Sequence, residues 1–160
     1  MKGFTLIELL ITITIVVLVT GTAIAAYITF NESRQLDIDT RSVLSLLNKV
    51  RSRAIFLEYP ADCTGLTSFG FESAVGTSGL SDSVRFFANC AEGVRGEETA
   101  KVLEAAVFST AFSMSFLPSS GAIASYEDQT ITISSTKGGQ KSKNIIVSSV
   151  MNSVNRVVDN

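Results

Sequence analysis

The chain of 160 residues contains no histidine and no tryptophan, and it has only two prolines and two cysteines. Without histidine, Ser-His-Asp and Cys-His nucleophile systems are impossible and the commonest metal ligand is missing. Two cysteines are too few for a structural zinc site, and no other nucleophile–base pair stands out. We therefore predict a protein that is not an enzyme, with no catalytic residue, cofactor or metal site.

Net charge and chain length limit which ligands the protein could bind and how many domains it could form. The formal net charge is −2, so the chain as a whole lacks the cationic footprint of a protein that binds nucleic acid or an anionic membrane surface. About 55 residues at the amino terminus have the pattern of one long helix, which leaves about 100 residues for a single small domain.

The first half of that helix contains a run without charge from Leu9 to Phe30. The run is rich in β-branched residues, but its length of about 20 residues, at about 1.5 Å rise per residue, matches the core of a bilayer. A lone strand in lipid would leave its backbone groups without hydrogen bonds, so we predict a membrane-spanning helix. Gly21 is the position where this helix would most easily unwind.

A single carboxylate, Glu8, stands at the edge of the apolar run. A carboxylate near the bilayer centre costs about 2.5 kcal/mol or more, and less near the edge, unless it finds a partner. If the chain were cut between Gly3 and Phe4, the new α-amino group would lie one helical turn from Glu8. The amine of one subunit and the carboxylate of a neighbour would then form a pair that favours assembly.

The segment Gly3-Phe4-Thr5-Leu6-Ile7-Glu8, together with the apolar run, resembles the class III signal of type IV pilins and pseudopilins. The resemblance implies that a prepilin peptidase cleaves between Gly3 and Phe4 and N-methylates Phe4, and that Glu8 acts in filament assembly. The implied partners are other pilin or pseudopilin subunits, the prepilin peptidase, an inner-membrane assembly platform and, before assembly, membrane lipid.

Lys2, on the short amino-terminal side, predicts that this end stays in the cytoplasm. The chain would then cross the inner membrane once, with its remainder exported to the periplasm or to an extracellular filament. Two simpler interpretations stay open. In a secretory signal peptide, Ala23-Ile24-Ala25 would precede the cleavage site, although Glu8 fits poorly inside an apolar region. In a plain single-span anchor, Glu8 would have no function.

Beyond Phe30 the sequence becomes polar but keeps a helical period, with an apolar stripe and charges mostly off it. The stripe consists of Leu36, Val43, Leu47, Val50 and Ala54, widened by Leu44 and Leu46, and the charged residues are Asp37, Asp39, Arg41, Lys49, Arg51 and Arg53. We expect this stripe to pack against a sheet. The helix should end at Glu58-Tyr59-Pro60, because proline cannot continue the hydrogen-bond ladder.

The predicted parts of the chain are a leader at 1–3, a transmembrane and polymerisation helix at 4–30, an amphipathic helix at 31–59 and a β-rich head at 60–160. Cys63 and Cys90 both lie in the head. Export would bring them to a compartment where disulfides persist, which favours a Cys63–Cys90 bridge. The alternative is two buried free thiols.

The head consists of short apolar runs between glycines and small polar residues, a pattern typical of strands. The predicted strands are Ser68–Ser73, Ser83–Ala88, Lys101–Val107, Ser113–Leu117, Gln129–Ser135, Asn144–Ser149 and Val154–Val158. Gly138-Gly139 predicts a hairpin connection, and Ser73 to Asp82 and Ala91 to Thr99 are predicted as flexible loops. The expected fold is α+β: a long amino-terminal helix on one or two small antiparallel sheets, which the resemblance identifies as the pilin fold.

Three segments resemble the group of minor pseudopilin H and fimbrial T. They are Arg51-Ser52-Arg53-Ala54-Ile55, Phe116-Leu117-Pro118-Ser119-Ser120-Gly121, and the terminal run from Ile145 to Val157, in which Asn155-Arg156 stands where the group often has Gly-Arg. The resemblance implies a minor subunit near the filament tip of a type IV pilus or of a type II secretion pseudopilus. The alternative is a major pilin that forms the shaft.

Some fimbrial T-like pilins are linked to DNA uptake, and the residues available for DNA contact are Lys137, Lys141, Lys143 and Arg156. Binding by counterion release needs several cations on one face. Glu127, Asp128 and Asp159 dilute the charge of these four residues. The sequence therefore favours lysines that solubilise an exposed hairpin over a DNA-binding surface.

Overall fold

A computed structural model describes residues 5–58, 60–74, 81–136, 141–149 and 154–159. One helix and eight strands follow each other along the chain. They are α1 (Leu6–Ile55), β1 (Leu66–Ala74), β2 (Ser83–Cys90), β3 (Gly93–Lys101), β4 (Ala106–Phe108), β5 (Ser113–Phe116), β6 (Gln129–Ser135), β7 (Ser142–Val147) and β8 (Val154–Asp159). The fold is α+β, with the long apolar helix packed against small antiparallel sheets, as the sequence predicts.

The strands form two antiparallel sheets of four strands each. The first has the order β3-β2-β1-β5 and the second the order β4-β6-β7-β8. An isolated β-bridge between Ser81, just before β2, and Phe108, at the end of β4, links the two sheets. Both sheets contact the second half of α1, through β1 on one side and through β6 and β7 on the other.

The core forms where the apolar stripe of α1 meets the inner faces of the two sheets. All five predicted stripe residues are buried there, and Leu44 and Leu46 pack against them in part. In β6, Ile131 and Ile133 point into the core while Thr130 is exposed, so the predicted alternation is confirmed. The same alternation in β2 buries every second side chain.

Helix α1 ends slightly before the predicted stop. Ile55 is its last residue and Phe56 is the C-cap. Leu57 takes a left-handed conformation with φ of 55°, and the N–H of Glu58 donates to the Arg53 carbonyl at 3.0 Å. This closing pattern usually has a glycine at the left-handed position. The left-handed residue Leu57 thus ends the helix before Pro60 could interrupt its hydrogen bonds. Tyr59 lies outside the described residues.

The prediction of a flexible loop at Ala91 to Thr99 is wrong, because Gly93–Lys101 is a strand, β3, paired with β2. Almost every side chain of β3 is exposed, so no apolar alternation marks it in the sequence. Gly96 has a φ of 60° at an irregularity where the pairing with β2 shifts. A glycine of this kind is typical of a bulge, and in the sequence it is easily taken for a loop residue.

The predicted strand Lys101–Val107 is also wrong. Lys101 is the end of β3, only Ala106–Phe108 forms β4, and a short connection that buries Leu103 lies between them. Of the other predicted strands, Gln129–Ser135 has the predicted ends and the rest occur with shifted ends. The hairpin residues Gly138-Gly139, and most of the predicted loop from Ser73 to Asp82, lie outside the described residues.

Candidate functional site: the amino-terminal helix and its attachment

Thr5 and Glu8 together cap the start of α1. Thr5 is the N-cap, and its hydroxyl oxygen accepts from the N–H of Glu8 at 3.4 Å. In return, one carboxylate oxygen of Glu8, Oε2, accepts from the N–H of Thr5 at 3.0 Å and from its hydroxyl at 2.7 Å. This reciprocal capping box satisfies donors that a helix start otherwise leaves free.

The capping leaves the second oxygen of Glu8, Oε1, without a hydrogen bond among the described residues. The carboxylate is therefore fixed in position by its own subunit and keeps an acceptor for a donor from outside. Thr5 is a partner that the charge argument missed, although the spacing Thr-x-x-Glu is a recognisable signal. Gly3 and Phe4, the predicted processing residues, lie outside the described residues.

Large apolar side chains cover the helix on all sides from Leu6 to Phe30. Fifteen of these side chains are exposed along this stretch. The most apolar window of α1 has a mean hydropathy of 2.5 and contains no buried residue. The helix is thus long and apolar enough to cross a membrane. A helix apolar all round fits a lipid environment, whereas in water it would need burial in a core.

Hydroxyl groups inside this apolar stretch find acceptors within the helix itself. Thr12 donates to the Leu9 carbonyl and Thr14 to the Leu10 carbonyl, each at 2.8 Å. The remaining donors with the same arrangement are Thr20, Thr22 and Thr29, and Ser33, just beyond the stretch, donates in the same way. Each donor is thereby satisfied without water, as the interior of a membrane requires. Gly21 is helical in the structure and has no neighbour beside it.

Two of the four predicted DNA-contact residues instead attach the head to the helix. Lys141 Nζ donates to the Ser33 hydroxyl at 2.6 Å and reaches the Thr29 carbonyl at 3.5 Å. Lys143 forms an ion pair with Asp37, and its side chain is only 17% exposed. Arg156 lies in β8 opposite Ile146, and Lys137 lies outside the described residues. The two of the four side chains that the structure describes, Lys141 and Lys143, therefore contact the helix of their own chain.

Asp39 makes a second attachment close by, and the sequence prediction that it lies off the packed face is wrong. Its side chain is buried, with 1% exposure. Its Oδ2 accepts from the N–H groups of Glu104 at 3.2 Å and of Ala105 at 3.0 Å, and Gln35 donates to its Oδ1 at 3.4 Å. The carboxylate thus holds the β3–β4 connection against the helix.

The far end of the head is attached to the end of the same helix. Arg51 Nε donates to the Gly121 carbonyl at 3.1 Å, and the N–H of Ser119 donates to the Ala54 carbonyl at 3.0 Å. Burial lowers the pKa of Arg51. Gly121 has a φ of 63° and lies against the Ile55 side chain, so a larger residue would collide there.

The predicted disulfide is present at this far end. Cys63 and Cys90 are bonded, with their Cα atoms 5.5 Å apart. The bridge fastens the segment after the helix to the end of β2. The N–H of Ala91 donates to the carbonyls of Thr64 and Gly65 at 3.0 Å, which reinforces the same corner. Within the residues that the structure describes, no group of three or more metal-binding side chains comes together.

The comparisons with known proteins bear on the amino terminus alone. Residues 1–24 match a family model described as the prokaryotic N-terminal methylation motif. No curated protein and no solved structure matches the chain. The motif implies cleavage by a prepilin peptidase and assembly with other pilin subunits. The chain thus carries a type IV pilin-like prepilin signal on an apolar helix, which supports its placement among pilin-like subunits.

Proposed function

We propose that the chain is a structural subunit of a type IV pilus or of a type II secretion pseudopilus. It is cleaved between Gly3 and Phe4, N-methylated at Phe4, held first in the inner membrane with its amino terminus in the cytoplasm, and then incorporated into a filament. The observation that carries this proposal is the methylation motif at residues 1–24, which continues into an apolar helix whose side chains are unburied.

The physical basis of assembly is an exchange of contacts. In the membrane, lipid surrounds the apolar half of α1, and in a filament the same surface packs against the helices of neighbours. The new α-amino group of Phe4 then neutralises Glu8 of a neighbour through its free Oε1. Because the capping box holds that carboxylate in place, little ordering is needed when the pair forms.

Segments of the head resemble the group of minor pseudopilin H and fimbrial T, and this resemblance supports the role of a minor subunit. A second candidate, a major pilin that builds the shaft, is favoured by two complementary surfaces, one along α1 and one on the head, described below. A role in DNA uptake stays a prediction without support from Lys141 and Lys143, because both are engaged on the helix.

The first experiment is the intact mass and amino-terminal peptide of the protein purified from its native membrane. The expected chain starts at N-methylated Phe4. A chain that starts at Ala26 would mean an ordinary secreted domain and would refute the proposal. A chain that keeps Met1 would mean a simple anchor and would refute it as well.

Substitution at Glu8 tests the assembly step separately from processing. Glu8→Gln keeps the capping box but removes the charge, so the variant should insert into the membrane, be processed, and yet incorporate into filaments about tenfold less. Thr5→Ala is the matched control, because it removes the cap and keeps the carboxylate. The measurement is the amount of each variant in sheared filaments relative to membranes. Normal incorporation of Glu8→Gln would exclude the pairing.

A further inference from the structure

A shallow groove of about 510 Å³ runs along the outer side of α1, between the helix and the end of β3. We call it the cationic groove. Its floor and walls are formed by Ile38, Arg41, Leu46, Lys49, Ala100 and Val102. Within the part of the chain that the structure describes, neither Arg41 nor Lys49 forms an ion pair. Two free cations therefore flank an apolar floor in which Ile38 is 46% exposed.

A loop on the same head has the complementary chemistry, and we call Tyr126, Glu127 and Asp128 the acidic loop. Tyr126 is 74% exposed although its ring is large and apolar. Glu127 and Asp128 are exposed, and neither forms an ion pair among the described residues. An aromatic side chain between polar neighbours is typical of the anchors that dominate protein interfaces.

The acidic loop is held in shape before any partner arrives. The N–H of Tyr126 donates to the Ile123 carbonyl at 3.2 Å, and the N–H of Ala124 donates to the Ser115 carbonyl at 2.8 Å. Asp128 accepts from the N–H of Ser149 at 2.8 Å. Tyr126 itself has a φ of 55°, a conformation that only firm surroundings maintain in a residue of this kind. A preformed loop loses little entropy on binding.

The groove and the loop lie too far apart to meet within one chain. The groove adjoins β3, at one edge of the first sheet, whereas the loop follows Ile123, which pairs with β5 at the other edge. Three strand spacings amount to about 14 Å. Among the residues that the structure describes, neither surface therefore has a partner in a single copy, and a second copy placed alongside supplies the missing partner for each.

We infer that the acidic loop of one copy of this chain docks in the cationic groove of the next. Tyr126 then fills the apolar floor, and the carboxylates of Glu127 and Asp128 meet Arg41 and Lys49. This contact joins two different surfaces, so each added copy presents a new groove or a new loop, and the assembly grows as an open helix unless the rotation closes a ring. The inference rests on the proposed filament role and favours the shaft-forming candidate.

A lipid surface is a poorer occupant of the cationic groove. The apolar run ends at Phe30, and α1 continues without interruption to Ile55. At about 1.5 Å rise per residue, Arg41 lies about 16 Å and Lys49 about 28 Å beyond Phe30 along the helix. The field of an anionic membrane decays within about 8 Å at physiological salt. Nucleic acid is disfavoured because only two cations flank a floor that is apolar.

The direct test places a photo-crosslinking amino acid at Ser45, which lines the groove, in the full-length chain within native membranes. Two forms of the chain are co-expressed, one with the probe and one with Thr110→Ala, an exposed substitution that changes the mass of the tryptic peptide that contains Tyr126, so that contacts between copies are recognisable by mass. After digestion with trypsin, the expected crosslink joins the peptide that contains Ser45 to the peptide of the other copy that contains Tyr126. The same probe at Ala111, an exposed position between β4 and β5, should give no such product.

Charge exchange tests the chemistry of the contact. Lys49→Glu and Glu127→Lys should each lower the yield of the Ser45 crosslink about tenfold, and the double variant should restore most of it. Arg95→Glu makes the same change of charge at an exposed site outside the groove and should leave the yield unchanged. Tyr126→Asn tolerates the left-handed backbone, removes the ring, and should also lower the yield about tenfold.

The inference is overturned if Ser45 crosslinks to lipid, to nucleic acid or only to a different protein, or if the double variant is no better than the single ones. The amino-terminal peptide is read from the same sample. N-methylated Phe4 without the expected crosslink would refute the docking contact and leave the proposed function intact, whereas an unmethylated amino terminus would refute the function whatever Ser45 contacts.

Discussion

The attachment of Asp39 to the β3–β4 connection predicts a large effect of a single substitution. Asp39→Ala removes the acceptor of two backbone N–H groups, those of Glu104 and Ala105. A buried donor left without a partner costs about 1–3 kcal/mol. Because these two are partly buried, we take about 1–2 kcal/mol each, and the better helix propensity of alanine returns about 0.5 kcal/mol. The expected net loss is about 1.5–3.5 kcal/mol.

Asp39→Asn separates the hydrogen bonds from the charge. Both N–H groups donate to the same oxygen, Oδ2, so an asparagine with its carbonyl oxygen in that place keeps both bonds. Only the charge-assisted part is lost, at about 1 kcal/mol. The expected order of stability is therefore aspartate, then asparagine, then alanine.

The assay is thermal unfolding of the full chain in detergent, with the disulfide intact, followed by the near-ultraviolet signal of the head. For a domain of about 100 residues, 1 kcal/mol shifts Tm by about 4–8 °C, so Asp39→Ala should lower it by about 6–28 °C. Asn48→Ala, at an exposed position of the same helix, should change the stability by less than about 0.5 kcal/mol. Equal Tm values for the alanine and asparagine variants would refute the reasoning.

Three further predictions concern the far end of the head. Replacing Cys63 and Cys90 together by serine should cost about 2–4 kcal/mol in urea unfolding, because the bridge closes a loop of moderate length; an unchanged midpoint would contradict this. Leu57→Gly should raise Tm slightly, since glycine adopts a positive φ without strain, and a lower Tm would show that the Leu57 side chain matters more. The Ser149 N–H, and then its hydroxyl, lower the pKa of Asp128, so Ser149→Ala should move that pKa part of the way up in an NMR titration. Because the pKa of Asp128 is lower in the folded state than in the unfolded state, its ionised form stabilises the fold at pH values above the unfolded pKa. This stabilisation is lost as the pH falls through the folded pKa.

Features with a regular period or a distinctive composition could be predicted from the sequence. The apolar run is marked by its length without charge, whereas the stripe from Leu36 to Ala54 and the alternation around Ile131 reflect repeated burial of one face. The structure has all three. The Cys63–Cys90 bridge could be inferred because few cysteines leave few choices. The signal at the amino terminus could be recognised because a carboxylate beside an uncharged run is rare.

Features that depend on tertiary context could not be predicted in this way. Strand β3 has exposed side chains on both faces and two glycines, so nothing in its composition distinguishes it from a loop. Asp39 and Lys143 look like surface charges in the sequence, but both make contacts across more than 60 positions of the chain. Their roles follow from the fold, which places backbone N–H groups of the head beside Asp39 and places Lys143 of the head beside a carboxylate of the helix.

The two attachments of the head to α1 also have a mechanical consequence. Asp37 and Asp39 hold the head near the middle of α1, on the side of the apolar run, and Arg51 and Ala54 hold it near the carboxyl-terminal end of α1. Tension along the helix is then shared between both ends at once, so the head is sheared along the helix and not peeled away from one side. Because resistance to force is set by the rate of unfolding, this arrangement would suit the filament subunit that we propose.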